Sequence, residues 1–85
     1  MSPAPKRKPQ QRARYKLLQE RLRLWREEAG LTQRQLGDLL GKPHTFVHKA
    51  EVGERRLDPC EWADWVKACG VKAQTACALL FKEQA

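Results

Sequence analysis

Long apolar runs are missing from this sequence of 85 residues. No stretch approaches the roughly 20 apolar residues of a membrane-crossing helix, and the N-terminus lacks the shorter apolar run of a secretory signal. β-Branched residues are scarce as well. Val and Thr occur only singly, so no strand-like alternation builds up. Cysteine amounts to Cys60, Cys69 and Cys77, an odd number with no C-x-x-C pair. That pattern excludes a disulfide framework and reads as small apolar core residues of a reduced, cytoplasmic protein. Also absent are a Ser/His/Asp set, a glycine-rich phosphate loop and a carboxylate pair in apolar surroundings. Catalysis therefore has no carrier, and no cofactor is expected.

What is present is dominated by helix formers: Ala, Leu, Glu, Gln, Lys and Arg recur throughout, so the expected fold class is all-α. The length allows one domain with an economical core. The net charge of +7 is unevenly spread. Lys6, Arg7, Lys8, Arg12 and Arg14 stand in residues 1–14 with no acid, whereas residues 15–85 hold twelve bases and ten acids. A basic arm on a nearly balanced domain suits a polyanion such as DNA, although a solubilising tail has the same composition. Residues 1–10, with three prolines and three bases, read as a flexible arm.

From about Gln11 the pattern turns helical, with Leu18, Leu22, Trp25 and Ala29 on one face and Gly30 as a stop. Thr32 to Gln35 has the form of a capping box. The second helix would run to about Leu40, with Leu36 and Leu40 inward and a small residue, Gly37, where another helix crosses closely. Gly41 ends it, and Pro43 would occupy the first turn of the third helix, about 43–52. There Val47, Ala50 and Glu51 face the second helix, while His44, Thr45, His48 and Lys49 lie opposite. Asp58-Pro59-Cys60-Glu61 marks a fourth start, with Trp62, Trp65, Val66 and Cys69 inward. A last helix, about 71–82, would carry Ala73, Ala76, Cys77, Leu80 and Phe81 on one stripe.

Two short helices joined by Gly41, Lys42 and Pro43 meet the geometry of a helix-turn-helix. The outer face of the second of the pair bears imidazole, hydroxyl, imidazole and ammonium groups and no acid, which fits a major groove. Lys49 can donate to guanine, neutral His44 can donate or accept, and the Thr45 methyl or the Phe46 ring can pack on a thymine methyl. The spacing of His44 and His48 is also that of metal ligands, but HTFVH lacks the glutamate of a zincin motif and has no third ligand nearby, so no metal is expected. Trp25, Trp62 and Trp65 fall on inward faces and read as core rather than as a ligand pocket or base-stacking set.

The stretch LTQRQLGDLLGKPHTFVHKAEVGERRLD resembles the lambda-repressor-like, Cro/CI-type helix-turn-helix regulators of phages, plasmids and bacteria. The matching features are Leu31-Thr32-Gln33, Leu36, Gly37, Leu40-Gly41, Val47, Glu51, Gly53 and Arg55, within roughly residues 18–71. The resemblance implies a compact five-helix DNA-binding domain over 11–71, with helices two and three as the reading unit. It implies base contacts from His44, Thr45 and Lys49, and His48, at a neighbouring exposed position, is expected to join them. It also implies phosphate contacts from Gln33, Lys42, Arg55 and Arg56, Gln33 bracing the recognition helix besides. His44 stands where relatives often have Gln, His48 where they often have Ser, and Ala50 replaces a larger apolar residue, so base preference cannot be copied.

The segment 72–85 carries more apolar surface than one domain needs, and Ala76, Cys77, Leu80 and Phe81 are expected to form a homodimer contact. The expected function is sequence-specific repression by a homodimer on a palindromic operator, with a second regulatory protein as a further candidate partner. The alternative is an antitoxin-like or inhibitor module that uses the same fold to grip a protein.

Overall fold

The computed structural model describes residues 9–81, and the side chains of residues 13–81. The described residues form five helices and no strands: α1 (Pro9–Glu28), α2 (Gln33–Leu40), α3 (His44–Val52), α4 (Pro59–Ala68) and α5 (Ala73–Phe81). None is long and apolar enough to cross a membrane. Helix α1 starts at Pro9, ahead of Gln11 and inside the segment read as an arm, because proline is accommodated in a first helical turn. Residues 1–8, the rest of that arm, lie outside the described residues, as does the expected extension of the last helix to Lys82.

Two helix starts form as their residues dictate. Thr32 caps α2: its hydroxyl accepts from the Gln35 N–H at 3.0 Å, and the Gln35 side chain accepts from the Thr32 N–H at 2.9 Å. Asp58 and Glu61 make the same reciprocal pair at α4, at 2.8 and 3.0 Å. Pro43 behaves differently from expectation. Its extended backbone (φ −67°, ψ 157°) makes it the residue before α3, with its carbonyl accepting from the Phe46 N–H at 3.0 Å, so His44 is the first helical residue.

The core gathers Leu22 and Trp25 from α1, Leu36 from α2, Phe46, Val47 and Ala50 from α3, Trp65 and Val66 from α4, Cys69, and Ala76 from α5. Trp65 is fully buried, and its indole N–H donates to the Leu22 carbonyl at 3.2 Å. Trp25 meets Trp62 edge-on at 6.3 Å between centroids, a favoured aromatic geometry. The tryptophans thus tie α4 to α1.

Several expected core positions lie elsewhere. Ala29 is exposed, because α1 ends at Glu28 and the chain folds back through the Leu31 N–H to the Arg26 carbonyl at 3.1 Å. Cys60, in the first turn of α4, and Cys77, on the outer side of α5, are exposed. Only Cys69 is a core cysteine, and burial pushes its thiol up to about 11. Helix α5 begins at Ala73, and Ala76 is completely buried in the core. The stripe expected on this helix therefore divides: Ala76, Leu79 and Leu80 turn inward, and Ala73, Cys77 and Phe81, at i, i+4 and i+8, form an outer row. Ala76 cannot contribute to a contact between copies.

Candidate nucleic-acid interface

Helices α2 and α3 pack on one another, and α3 also packs on α1. The α2–α3 turn is tight at Gly37. A Cβ there would lie 2.7 Å from the Lys42 carbonyl oxygen and 3.3 Å from the His44 nitrogen, so only a residue without a side chain lets the backbone pass this closely. What crosses at Gly37 is the turn and the start of α3, not the body of another helix. Gly41, in left-handed backbone (φ 68°), closes α2 and directs the chain into that turn.

The inner side of α3 buries Phe46, Val47, Ala50 and Glu51. Its outer side presents His44, Thr45, His48 and Lys49, all exposed, and these are the four residues expected to read bases. The structure brings them together on one open face. Phe46 does not join them. At 9% exposure its ring belongs to the core, and it has no free face for a thymine methyl.

Burial of an acid on α3 requires compensation, since an isolated carboxylate out of water is costly. Glu51 is compensated by a fork from α1: Arg26 Nε donates to one carboxylate oxygen at 2.6 Å and Nη2 to the other at 3.1 Å. Arg26 Nη1 meanwhile donates to the Leu31 carbonyl at 2.8 Å. The hydrogen bond to Glu51 raises the Arg26 pKa above its ordinary value, against the opposing effect of burial. Gln33, the first residue of α2, adds Nε2 to Glu51 Oε1 at 3.1 Å, so it does brace α3. Gln19 of α1 holds the C-terminal end of α3, donating to the Glu51 carbonyl at 3.0 Å. Its side chain lies where a Cβ on Gly53 would fall (2.6 Å), and Gly53 also has φ 86°.

The residues expected to meet phosphates occupy three places. Gln33 is at the N-terminus of α2, engaged with Glu51. Lys42 and Arg55 come together over the Phe46 ring, at 5.5 and 5.0 Å from its centroid, and Arg55 also pairs with Glu61 at 2.6 Å. Arg56 turns the other way and lies 4.4 Å over the Tyr15 ring. Arg14 donates to the Leu80 carbonyl and ties α1 to the end of α5.

Sequence reasoning missed Arg26, Gln19 and Glu61. For Arg26 a signal existed: a base at i+4 from Leu22 on the inner stripe of α1, and one lone acid, Glu51, between Ala50 and Val52. Gln19 and Glu61 bear on α3 or on Arg55 only through contacts distant in sequence, and nothing local marks them for that.

A helix-turn-helix domain family matches residues 17–79. Among solved structures, an XRE-family like protein from Pseudomonas syringae pv. tomato str. DC3000 is 38% identical. The match covers 84% of this chain and 87% of that one, with a TM-score of 0.78. No curated protein matches the chain.

Proposed function

This chain belongs to the helix-turn-helix family of XRE-type, Cro/CI-like DNA-binding regulators, and from that premise we propose that it is a sequence-specific repressor acting as a homodimer. The observation that carries this reading is the outer face of α3. His44, Thr45, His48 and Lys49 are exposed and adjacent there, while the opposite side of the helix is locked by Val47, Ala50 and the Glu51 network. A rigid helix with hydrogen-bonding groups on one open side is what reading of major-groove base edges requires. Lys42 and Arg55 supply phosphate contacts beside it, Arg56 a separate one from its place over Tyr15, and Gln33 a further one at the start of α2, setting register without carrying sequence information.

Two copies joined through the outer part of α5 would present two such helices about 34 Å apart, one turn of DNA, on a palindromic site. Cys77 and Phe81 supply the apolar contact, with the half-buried Leu80 at its edge. Phe81 is 81% exposed, an unusual position for a large apolar ring. The preceding residue, Leu80, lines a groove of about 420 Å³ together with Leu18, Leu57, Asp58, Pro59, Trp62 and Ala63. Occlusion of a promoter is the simplest route from occupancy to repression.

Selection of bound duplexes from a random library tests the reading, and should return a two-fold symmetric motif. In the same assay Lys49→Ala should relax base preference at one position of each half-site. Arg55→Ala should weaken all duplexes alike and lower the slope of log K against log salt by about 0.9. Absence of binding to every duplex in low salt would overturn the assignment.

A further inference from the structure

The surroundings of Phe46 exceed what core packing needs. Lys42 precedes α3 and Arg55 follows it, yet both cationic groups lie over this one ring, at 5.5 and 5.0 Å. Their separation cannot exceed those two distances together. Phosphates on one strand recur about every 3.4 Å along the duplex axis, so the pair matches a short stretch of a single backbone. Arg55 is held a second time, by Glu61 Oε2 at 2.6 Å, while Glu61 Oε1 is fixed by the Asp58 N–H at 3.0 Å within the cap of α4.

The choice of an aromatic ring has a chemical consequence. A ring attracts a cation through its quadrupole and uses none of its N–H donors. Lys42 and Arg55 are therefore restrained by Phe46 without being occupied by it. Guanidinium has five N–H groups, so one contact to Glu61 leaves others for an anion. Long basic side chains otherwise lose considerable rotamer freedom on meeting a phosphate, and restraint before binding removes part of that loss.

Resting on the DNA-binding reading above, we propose that Phe46 and Glu61 are positioning residues that hold Lys42 and Arg55 as one two-cation clamp on the phosphates of a single DNA strand. Phe46 touches no DNA in this arrangement; it acts through the two cations.

The test is anisotropy binding to a fluorescent mixed-sequence duplex about three helical turns long, in low salt. Phe46→Leu, which keeps an apolar side chain in the core, is expected to weaken binding about tenfold with the salt slope unchanged, because both cations still reach phosphate. On a Lys42→Ala, Arg55→Ala background the same change is expected to alter affinity less than about twofold. Glu61→Gln keeps an acceptor for the Asp58 N–H, as glutamine serves at this cap position. It is expected to cost about threefold in the otherwise unaltered protein and nothing once Arg55 is alanine. This second arm stands even if Phe46→Leu fails to fold, which a thermal melt reports. Equal losses with and without the cations would show that the ring only packs, and an unchanged affinity for both single variants would also overturn the clamp. If the unaltered protein binds no duplex, the regulator assignment itself falls and takes the clamp with it.

Discussion

The Glu51 carboxylate accepts from Arg26 of α1 and Gln33 of α2 at once, and its side chain is only 3% exposed. The orientation of the outer face of α3 is thereby fixed from two sides by one residue of that helix. Buried pairs of this kind are costly to break, and specify geometry more than they add stability. The exposed set His44, Thr45, His48 and Lys49 was legible in the sequence because helical spacing alone separates it from Val47 and Ala50. The Arg26–Glu51 pair was not, since its partners stand 25 residues apart and only folding brings them together. Cys69 offers a measurable consequence at this scale. Burial raises its thiol from 9.0 to about 11, so the folded state keeps the proton where the unfolded chain releases it. The stability this contributes is complete below about pH 9 and is lost as pH rises to about 11, amounting to about 2 kcal/mol. Urea unfolding across that window should show the fall in the native protein and a correspondingly flatter profile in Cys69→Ala.

Among the elements, helix starts were the most readable. Thr32 with Gln35 and Asp58 with Glu61 are local patterns whose hydrogen bonds span three residues, so no tertiary contact is needed to form them. Gly37 was readable as a close approach, though not what approaches. Alanine in mid-helix ordinarily gains about 1 kcal/mol over glycine. At Gly37 the added Cβ would meet backbone, the Lys42 carbonyl oxygen at 2.7 Å, and backbone in a tight turn cannot swing aside as a side chain does. Gly37→Ala should therefore reverse the usual sign and destabilise by about 1–3 kcal/mol, read as a lower thermal midpoint. DNA affinity should fall too, since the displaced segment leads directly into His44. The inner face of α5 was misread because apolar residues almost encircle this short helix, and periodicity cannot choose among several apolar stripes. Burial against α1 and α4 makes the choice, taking Ala76 inward and leaving Phe81 outside.

For the molecule as a whole, the polar face of α3 and the outer row of α5 are both open among the described residues. If that row joins two copies, Phe81→Asp should raise the dimer dissociation constant at least about tenfold in sedimentation equilibrium. Helical circular dichroism should stay unchanged, because a side chain 81% exposed contributes little to its own protomer. Operator affinity should fall with it, as each half-site would then be bound separately. A native protein that sediments as a monomer at micromolar concentration would remove the dimer from the proposal while leaving the α3 face intact.

The amino-acid order alone determined that this chain is helical, where α2 and α4 begin, and which residues of α3 face outward, because each depends on interactions within one or two turns. The position of that face in space is a different matter. Arg26, Gln19 and Gln33 grip α3, and the Phe46 ring gathers Lys42 and Arg55 across thirteen residues of chain. These were settled only on folding, since a buried charge finds its partner, and a ring its cations, through packing that sequence separation does not encode.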